Sequence, residues 1–284
     1  MLRDLVALMR PKHYLKNGLV FLPLIFSGTL FADGNFLRVL LAAIAFSFVA
    51  SIVYIINDIR DAERDRQHPK KKFRPIASGK VSIRQAIILA IVLAMGAIGI
   101  GYAIGSDATA WIILAAYLAI NIGYNLGLKD VPIVDIAILA AGFVLRVLYG
   151  GEIIDIEVSR WLYLTVLAGA FYMGLGKRRG ELLTNGAKSR KVNELYTHDF
   201  LDKNMYVCLA LTLVFYSLWA TDPAKHLTSL FWTIPMVMVL LMTYSLDVEK
   251  DGAMGDPVDV LLNNKVLAVF ALAYITLTTY LLYV

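Results

Sequence analysis

The sequence is poor in cysteine and in charged residues. Cys208 is the only cysteine among 284 residues, which excludes an intrachain disulfide and a metal site built from several cysteines. Charged residues make up 17% of the chain and hydrophobic residues 59%, whereas about a quarter of an average soluble domain is charged. The four histidines lack metal-ligand spacing, and no Walker A or dinucleotide-binding sequence occurs. The composition excludes an ordinary soluble enzyme, gives no indication of nucleic-acid binding, and predicts a polytopic membrane protein.

Nine apolar stretches are long enough to cross about 30 Å of hydrocarbon as helices. The first and the sixth are the weakest, because both fall short of the usual length of about 20 residues. We therefore expect an all-α fold, a nine-helix transmembrane bundle that forms one domain over residues 1–284. The stretches lie at roughly 17–33, 36–57, 82–104, 108–128, 131–150, 160–177, 204–221, 227–246 and 263–283.

Lysine and arginine residues are distributed unevenly between the two sides that these spans define. With the N-terminus inside, 23 of the 27 basic residues lie on the cytoplasmic side, three lie outside, and Arg146 lies within a span. Cytoplasmic loops of membrane proteins are enriched in such residues. We expect a multi-pass protein of the cell (inner) membrane with a cytoplasmic N-terminus and site and an external C-terminus.

The densest group of acidic residues follows the second apolar stretch. Asn57, Asp61 and Asp65 are spaced four residues apart, and Asp58 lies three residues before Asp61, so a helix carries all four on one side. Like charges at these spacings repel one another unless a cation lies among them. Oxygen ligands with open metal coordination suit Mg²⁺ bound to a diphosphate. We predict a metal site at these four residues, with the three aspartates catalytic; the alternative is a solvated cytoplasmic loop.

Basic residues follow this acidic group directly. They are Lys70, Lys71, Lys72 and Arg74, and their charge suits the binding of phosphate groups. The alternative is that they only obey the positive-inside rule.

A second polar group follows the fourth apolar stretch and contains Tyr124, Lys129 and Asp135. Arg146 comes eleven residues after Asp135, which is three helical turns, so the two share a helix face. An arginine within a span needs a partner or a polar cavity. We therefore predict that Arg146 binds an anionic ligand. The alternative is that it forms a structural ion pair.

A third group, Lys177, Arg178, Arg179 and Glu181, closes the sixth stretch. Two interpretations stay open: a phosphate clamp, and a helix-end salt bridge between Lys177 and Glu181.

The chain resembles the UbiA superfamily of intramembrane prenyltransferases. The family's Asn/Asp-rich motif is matched by Asn57, Asp58, Asp61 and Asp65, and its Tyr-to-Lys motif by Tyr124 and Lys129. Within the superfamily it is most similar to the decaprenyl-phosphate phosphoribosyltransferases, through segments 10–17, 57–79, 128–135 and 142–146. It departs from users of prenyl diphosphate at Lys177–Glu181, where they carry a second Asp-rich motif.

The resemblance implies Mg²⁺-dependent transfer of phosphoribose from 5-phosphoribosyl 1-diphosphate to polyprenyl phosphate within the lipid bilayer, for synthesis of a cell-wall arabinose donor. Homo-oligomer formation is left open. Alternatives are transfer of a prenyl group to an aromatic or other acceptor, and transport of an ion or phosphate. The substrate-binding residues expected are Lys16, Tyr54, Lys70, Lys72, Arg74, Tyr124, Lys129, Asp135, Arg146, Lys177 and Arg178.

Overall fold

The computed structural model describes residues 2–32, 34–69, 71–185, 191–222, 228–250 and 257–283, and within these ranges all regular secondary structure is helical. Lys70, one of the expected phosphate ligands, lies outside the described residues. The α-helices are α1 (Leu2–Met9), α2 (Leu22–Phe26), α3 (Asn35–Arg60), α4 (Ala62–Arg66), α5 (Ile83–Ala103), α6 (Ala108–Leu126), α7 (Val134–Ile153), α8 (Arg160–Asn185), α9 (His198–Ala220), α10 (Ile234–Glu249), α11 (Pro257–Asn263) and α12 (Lys265–Tyr283). An 11-residue 3-10 helix, Pro11–Phe21, precedes α2 and is called the N-terminal 3-10 helix.

Seven helical segments in the described part of the chain are long and apolar enough to cross a membrane. They confirm seven of the nine predicted spans and make this a multi-pass membrane protein. The predicted span 17–33 instead falls on the N-terminal 3-10 helix and the five-residue α2. The predicted span 160–177 falls on α8, which continues past its apolar part into the charged sequence up to Asn185.

The chain divides into two compact units, each built from separate stretches of sequence. The first unit comprises Met1–Leu24, Thr29–Asn125 and Leu145–Ile156. Its core surrounds α3, which packs against α1, α5 and the N-terminal 3-10 helix. The Phe46 ring lies 4.7 Å from the Tyr117 ring and 5.7 Å from the Tyr149 ring, and these tilted aromatic contacts fix α6 and α7 against α3.

The second unit comprises Ile25–Gly28, Leu126–Val144 and Glu157–Val284. Its main packing is between α8 and α9. Glycines of α8 also let side chains of α7 and α10 lie close to the α8 backbone. A Cβ atom at Gly174 would lie 2.8 Å from the Ile136 side chain, and one at Gly176 would lie 2.9 Å from Val248. Small residues at such contacts are how membrane helices pack without a hydrophobic driving force. Whether residues 1–284 act as one domain stays a prediction.

Candidate functional site

The four residues of the predicted metal site lie on consecutive helical turns. Asn57 and Asp58 belong to the last turn of α3, Asp61 joins α3 to α4, and Asp65 belongs to α4. The Asp61 amide donates to the Asn57 carbonyl at 2.9 Å, and the Asp65 amide donates to the Asp61 carbonyl at 2.8 Å. These i to i−4 bonds preserve the helical register that the sequence spacing indicated. We call the four residues the acidic ridge.

Two arginines neutralise the buried carboxylates of the acidic ridge. Arg74 Nη1 donates to Asp65 Oδ2 at 2.7 Å and to Asp58 Oδ1 at 3.1 Å. Arg10 Nη2 donates to the same Asp58 oxygen at 2.5 Å. The side chains of Asp58 and Asp65 are only 2% and 4% exposed, and buried carboxylates at that depth require such partners. The cation expected among the acids is therefore provided, in this structure, by guanidinium groups.

The ridge can still hold a divalent ion if a ligand contributes coordination. Among the described residues, no three His, Cys, Asp or Glu side chains lie close enough together to hold a metal alone. Mg²⁺, however, is usually bound by one or two carboxylates together with substrate phosphates and water. Asn57 and Asp61 are partly exposed oxygen donors one helical turn apart. The donor set therefore fits a magnesium ion shared with a diphosphate.

The basic segment after the ridge includes a 3-10 turn, Lys71–Phe73. Lys71 and Lys72 are exposed, and the Lys72 ammonium lies 5.2 Å from the centre of the Phe73 ring. The Lys71 amide donates to His68 Nδ1 at 3.2 Å. Partial burial and the nearby Lys71 charge lower the pKa of His68, so this imidazole is a neutral acceptor near pH 7.

Arg10 is a residue of this region that sequence reasoning missed as a site residue. Its backbone is left-handed, with φ 54° and ψ 60°, which is uncommon for a residue other than glycine. Its guanidinium lies 4.9 Å from the Tyr54 ring centre, and the His13 ring lies 5.5 Å from the same ring. The sequence signal was an arginine directly before Pro11, ahead of the first apolar stretch, but its partner Asp58 is 48 residues away.

The side chain of Arg146 is buried within the first unit. Arg146 Nε donates to Asn17 Oδ1 at 2.7 Å, and Nη2 donates to the Tyr117 hydroxyl at 3.2 Å. Its guanidinium also lies 4.8 Å from the Phe46 ring and 5.0 Å from the Tyr117 ring. At 4% exposure, the side chain is held by an amide, a phenol and two aromatic faces. These contacts occupy the guanidinium inside the protein, and the predicted binding of an anionic ligand by Arg146 stays a prediction.

Asp135 binds residues other than Arg146, with which it shares a helix face. Arg178 Nε donates to Asp135 Oδ2 at 2.5 Å, and both side chains are fully buried. The Tyr196 hydroxyl donates to the other carboxylate oxygen at 2.7 Å. Arg178 Nη1 binds Glu181 at 2.6 Å, so Glu181 pairs with Arg178, whereas the sequence suggested Lys177. Asp135 and Arg178 are inaccessible and bound to each other in this structure, and their predicted contact with substrate stays a prediction.

Four further predicted substrate residues are partly exposed. Lys16 lies on the N-terminal 3-10 helix, Tyr124 near the end of α6, Lys129 in the short 3-10 helix Leu128–Asp130, and Lys177 on α8. Their roles stay predictions.

Comparison with known proteins finds a matching family model and similar proteins that share one name. A sequence model described as the UbiA prenyltransferase family matches residues 20–187. The chain is 35% identical to the decaprenyl-phosphate phosphoribosyltransferase of Corynebacterium glutamicum, over 95% of this chain and 84% of that protein. It is 34% identical to the protein of the same name from Mycolicibacterium smegmatis, over 95% and 90%.

The fold is similar to that of a UbiA homolog from Archaeoglobus fulgidus whose structure was solved bound to DMAPP and Mg²⁺. The TM-score is 0.73, and the match covers 98% of this chain and 99% of that one. At 17% identity, this likeness shows the shared fold alone.

Proposed function

The chain belongs to the UbiA prenyltransferase family, and from this premise we propose that it transfers 5-phosphoribose from 5-phosphoribosyl 1-diphosphate to a polyprenyl phosphate, releasing pyrophosphate. The observation that supports this most is the likeness, over nearly the whole chain, to two relatives named decaprenyl-phosphate phosphoribosyltransferase. The product would be a polyprenylphosphoryl-5-phosphoribose, a precursor for an arabinose donor in cell-wall synthesis.

The reaction needs little help with proton transfer. A phosphate monoester is already ionised near neutral pH, so its oxygen can attack the anomeric carbon of the ribose without a strong general base. The bond from that carbon to the diphosphate oxygen breaks as the new bond forms, and the anomeric configuration inverts. The main task of the protein is to position two anions that repel each other.

The acidic ridge is the proposed site for the soluble substrate. Asn57 and Asp61 would hold Mg²⁺, which when bound would offset charge on the diphosphate leaving group. Asp58 and Asp65 orient Arg74 and Arg10 beside this site through the ion pairs described above. Lys71, Lys72 and Arg74, together with Lys70, bind the 5-phosphate or the diphosphate oxygens.

The lipid phosphate is assigned to Lys16 and Tyr54 in the first unit. Tyr124, Lys129 and Lys177 stay predictions for the same role and are suitable for individual substitution. The nine-span topology, the inner-membrane location and the cytoplasmic site belong to this proposal.

Transfer of a prenyl group is the second candidate function. It is favoured by the fold and by 27% identity, over 74% of this chain, to a digeranylgeranylglyceryl phosphate synthase from Sulfurisphaera tokodaii. The sequence at the end of α8 disfavours prenyl transfer, because Lys177, Arg178 and Arg179 occupy the positions where prenyl-diphosphate users carry acidic residues.

One assay separates these functions. Purified protein in lipid nanodiscs receives labelled 5-phosphoribosyl 1-diphosphate with polyprenyl phosphate or, in parallel, labelled prenyl diphosphate with an aromatic acid. We expect a labelled lipid only in the first reaction and only with Mg²⁺. Product in the second reaction alone would reject the proposal in favour of prenyl transfer, and no product in either would reject both.

A further inference from the structure

The N-terminal 3-10 helix is unusually long. It runs for 11 residues, from Pro11 to Phe21, whereas 3-10 helices of more than about four residues are uncommon because their hydrogen-bond geometry is poorer than that of an α-helix. Interactions outside the segment must therefore stabilise this conformation.

Three residues of the helix, spaced by three, supply those interactions. The hydroxyl of Tyr14 lies 2.8 Å from Ser51 Oγ, and Asn17 Nδ2 donates to Ser47 Oγ at 2.7 Å. The carbonyl of Val20 packs directly on Gly150, where any Cβ atom would overlap it. A period of three places all three residues on one face of a 3-10 helix.

Asn17 is the centre of this arrangement. It is 2% exposed and uses both ends of its amide: the nitrogen donates to Ser47 on α3, and the oxygen accepts from Arg146 on α7. We call Tyr14, Asn17 and Val20, with their partners Ser47, Ser51, Arg146 and Gly150, the anchor seam.

The spacing of the seam explains why the helix is 3-10 and not α. Its partners are separated by four residues on α3 (Ser47 and Ser51) and by four on α7 (Arg146 and Gly150). Four residues of α-helix rise about 6 Å, and three residues of 3-10 helix also rise about 6 Å. An α-helical segment would rise only about 4.5 Å in three residues and would lose this register.

The seam also fixes the backbone that carries charged side chains of the proposed site. Lys16 is the immediate neighbour of Asn17, and His13, one 3-10 turn before Lys16, contacts the Tyr54 ring that Arg10 also contacts. A change in helix type would rotate and shift Lys16 relative to Tyr54.

We propose that Asn17 and Arg146 are positioning residues, which hold the N-terminal 3-10 helix in a conformation that presents Lys16 to the lipid phosphate. This rests on the proposed function for the identity of the lipid anion. It assigns to Arg146 a role through Asn17, in place of a direct contact with substrate.

The test measures helix order and ligand binding separately, in the full chain in nanodiscs. Hydrogen–deuterium exchange over residues 11–21 reports the helix, and titration with polyprenyl phosphate gives a Kd that needs no turnover. In Asn17→Ala we expect amide exchange to be about tenfold faster, as for loss of a buried hydrogen bond, and the Kd to rise about tenfold. Ser47→Ala, which removes one bond only, is the milder variant if Asn17→Ala does not fold.

Three comparison variants make the result specific. Lys16→Met should raise the Kd without changing exchange. Arg146→Lys should behave like Asn17→Ala, because it keeps the charge and loses the guanidinium fork. Tyr216→Phe removes a buried hydroxyl that lies 2.5 Å from Thr233 Oγ1 in the second unit, and it should change neither quantity.

Unchanged exchange in Asn17→Ala and Ser47→Ala would overturn the inference, as would faster exchange with an unchanged Kd. Normal exchange and Kd in Arg146→Lys would also overturn it. Transfer of labelled phosphoribose by the wild-type protein is measured in the same nanodiscs. A lack of transfer would reject the proposed function, while exchange and Kd would still decide the role of the seam.

Discussion

At the scale of single residues, charge balance at the acidic ridge links stability to function. Arg74 lies between two carboxylates that are nearly inaccessible to water, and it contacts both. Removing one partner of a buried pair leaves an uncompensated charge, which costs more than the intact pair contributes. The same arginine is a proposed ligand for phosphate, so substrate binding and folding depend on the same side chain.

Arg74→Ala should destabilise the folded protein by about 3 kcal/mol, because Asp58 and Asp65 would lose a shared partner. Thermal unfolding in detergent measures the effect. The control is Lys203→Ala, which removes an exposed pair with Asp199 and should cost about 0.5 kcal/mol or less. Equal effects of the two substitutions would contradict the burial argument.

Asp61→Ala should lower the rate of Mg²⁺-dependent phosphoribose transfer by about 100-fold or more, since a preorganised electrostatic contact of this kind contributes on that order. The initial rate at saturating Mg²⁺ is the measurement. Glu63→Ala, two residues away and exposed, is the control and should retain its rate. An Asp61→Ala protein with a wild-type rate would remove the metal from the proposal.

At the scale of elements, close backbone packing connects the N-terminal 3-10 helix to α7. Gly150→Ala should push the two elements apart, because the added Cβ atom would overlap the Val20 carbonyl. We expect a clear loss of thermal stability, on the order of 2 kcal/mol. Gly99→Ala is the matched control in α5, where a Cβ atom has no neighbour within 4 Å, and it should be neutral or slightly stabilising.

The turn that begins α7 depends on Tyr196. Its hydroxyl accepts a 2.6 Å hydrogen bond from the amide of Ile133, which has a left-handed backbone with φ 68°, and it donates to Asp135. Burial of the phenol, together with the Asp135 charge, raises its pKa above the ordinary value of 10.0. The folded protein therefore keeps this proton at a pH where the unfolded chain loses it.

Stability attributable to Tyr196 should be constant below about pH 10 and should decline as the pH rises further, because only the unfolded chain then ionises readily. Thermal unfolding between pH 8 and pH 11 tests this. Tyr196→Phe should be less stable at pH 8 by about 1–2 kcal/mol and should show a weaker decline above pH 10. A steeper decline in the Phe variant would refute the assignment.

At the scale of the whole molecule, the distribution of basic residues predicts orientation. In a Cys208→Ala background, a cysteine introduced at Lys71 should react with a membrane-impermeant maleimide only after the cytoplasmic side is opened. A cysteine at Glu157 should react in intact cells. Reversed labelling would overturn the topology and the cytoplasmic position of the site.

Much of the helical fold could be predicted from the sequence, because long apolar runs have few alternatives to helices in a membrane. The register of Asn57, Asp61 and Asp65 was also predictable, since it depends only on residues four apart. The sequence predicts the start of a membrane span at residues 17–21, which are the second half of the N-terminal 3-10 helix. The 3-10 conformation could not be predicted, because it depends on Asn17 meeting Arg146, 129 residues away. The pairs Arg10–Asp58 and Arg178–Asp135 were missed for the same reason, as each joins residues more than 40 positions apart.

The most direct test of the proposed site is a cryo-EM map of the protein with 5-phosphoribosyl 1-diphosphate and Mg²⁺. We predict density for a metal ion bound by Asn57 and Asp61 and shared with the diphosphate, with Arg74 in contact with phosphate oxygens. A map in which the ligand binds elsewhere and the acidic ridge holds no metal would contradict the proposed binding of the soluble substrate at the ridge.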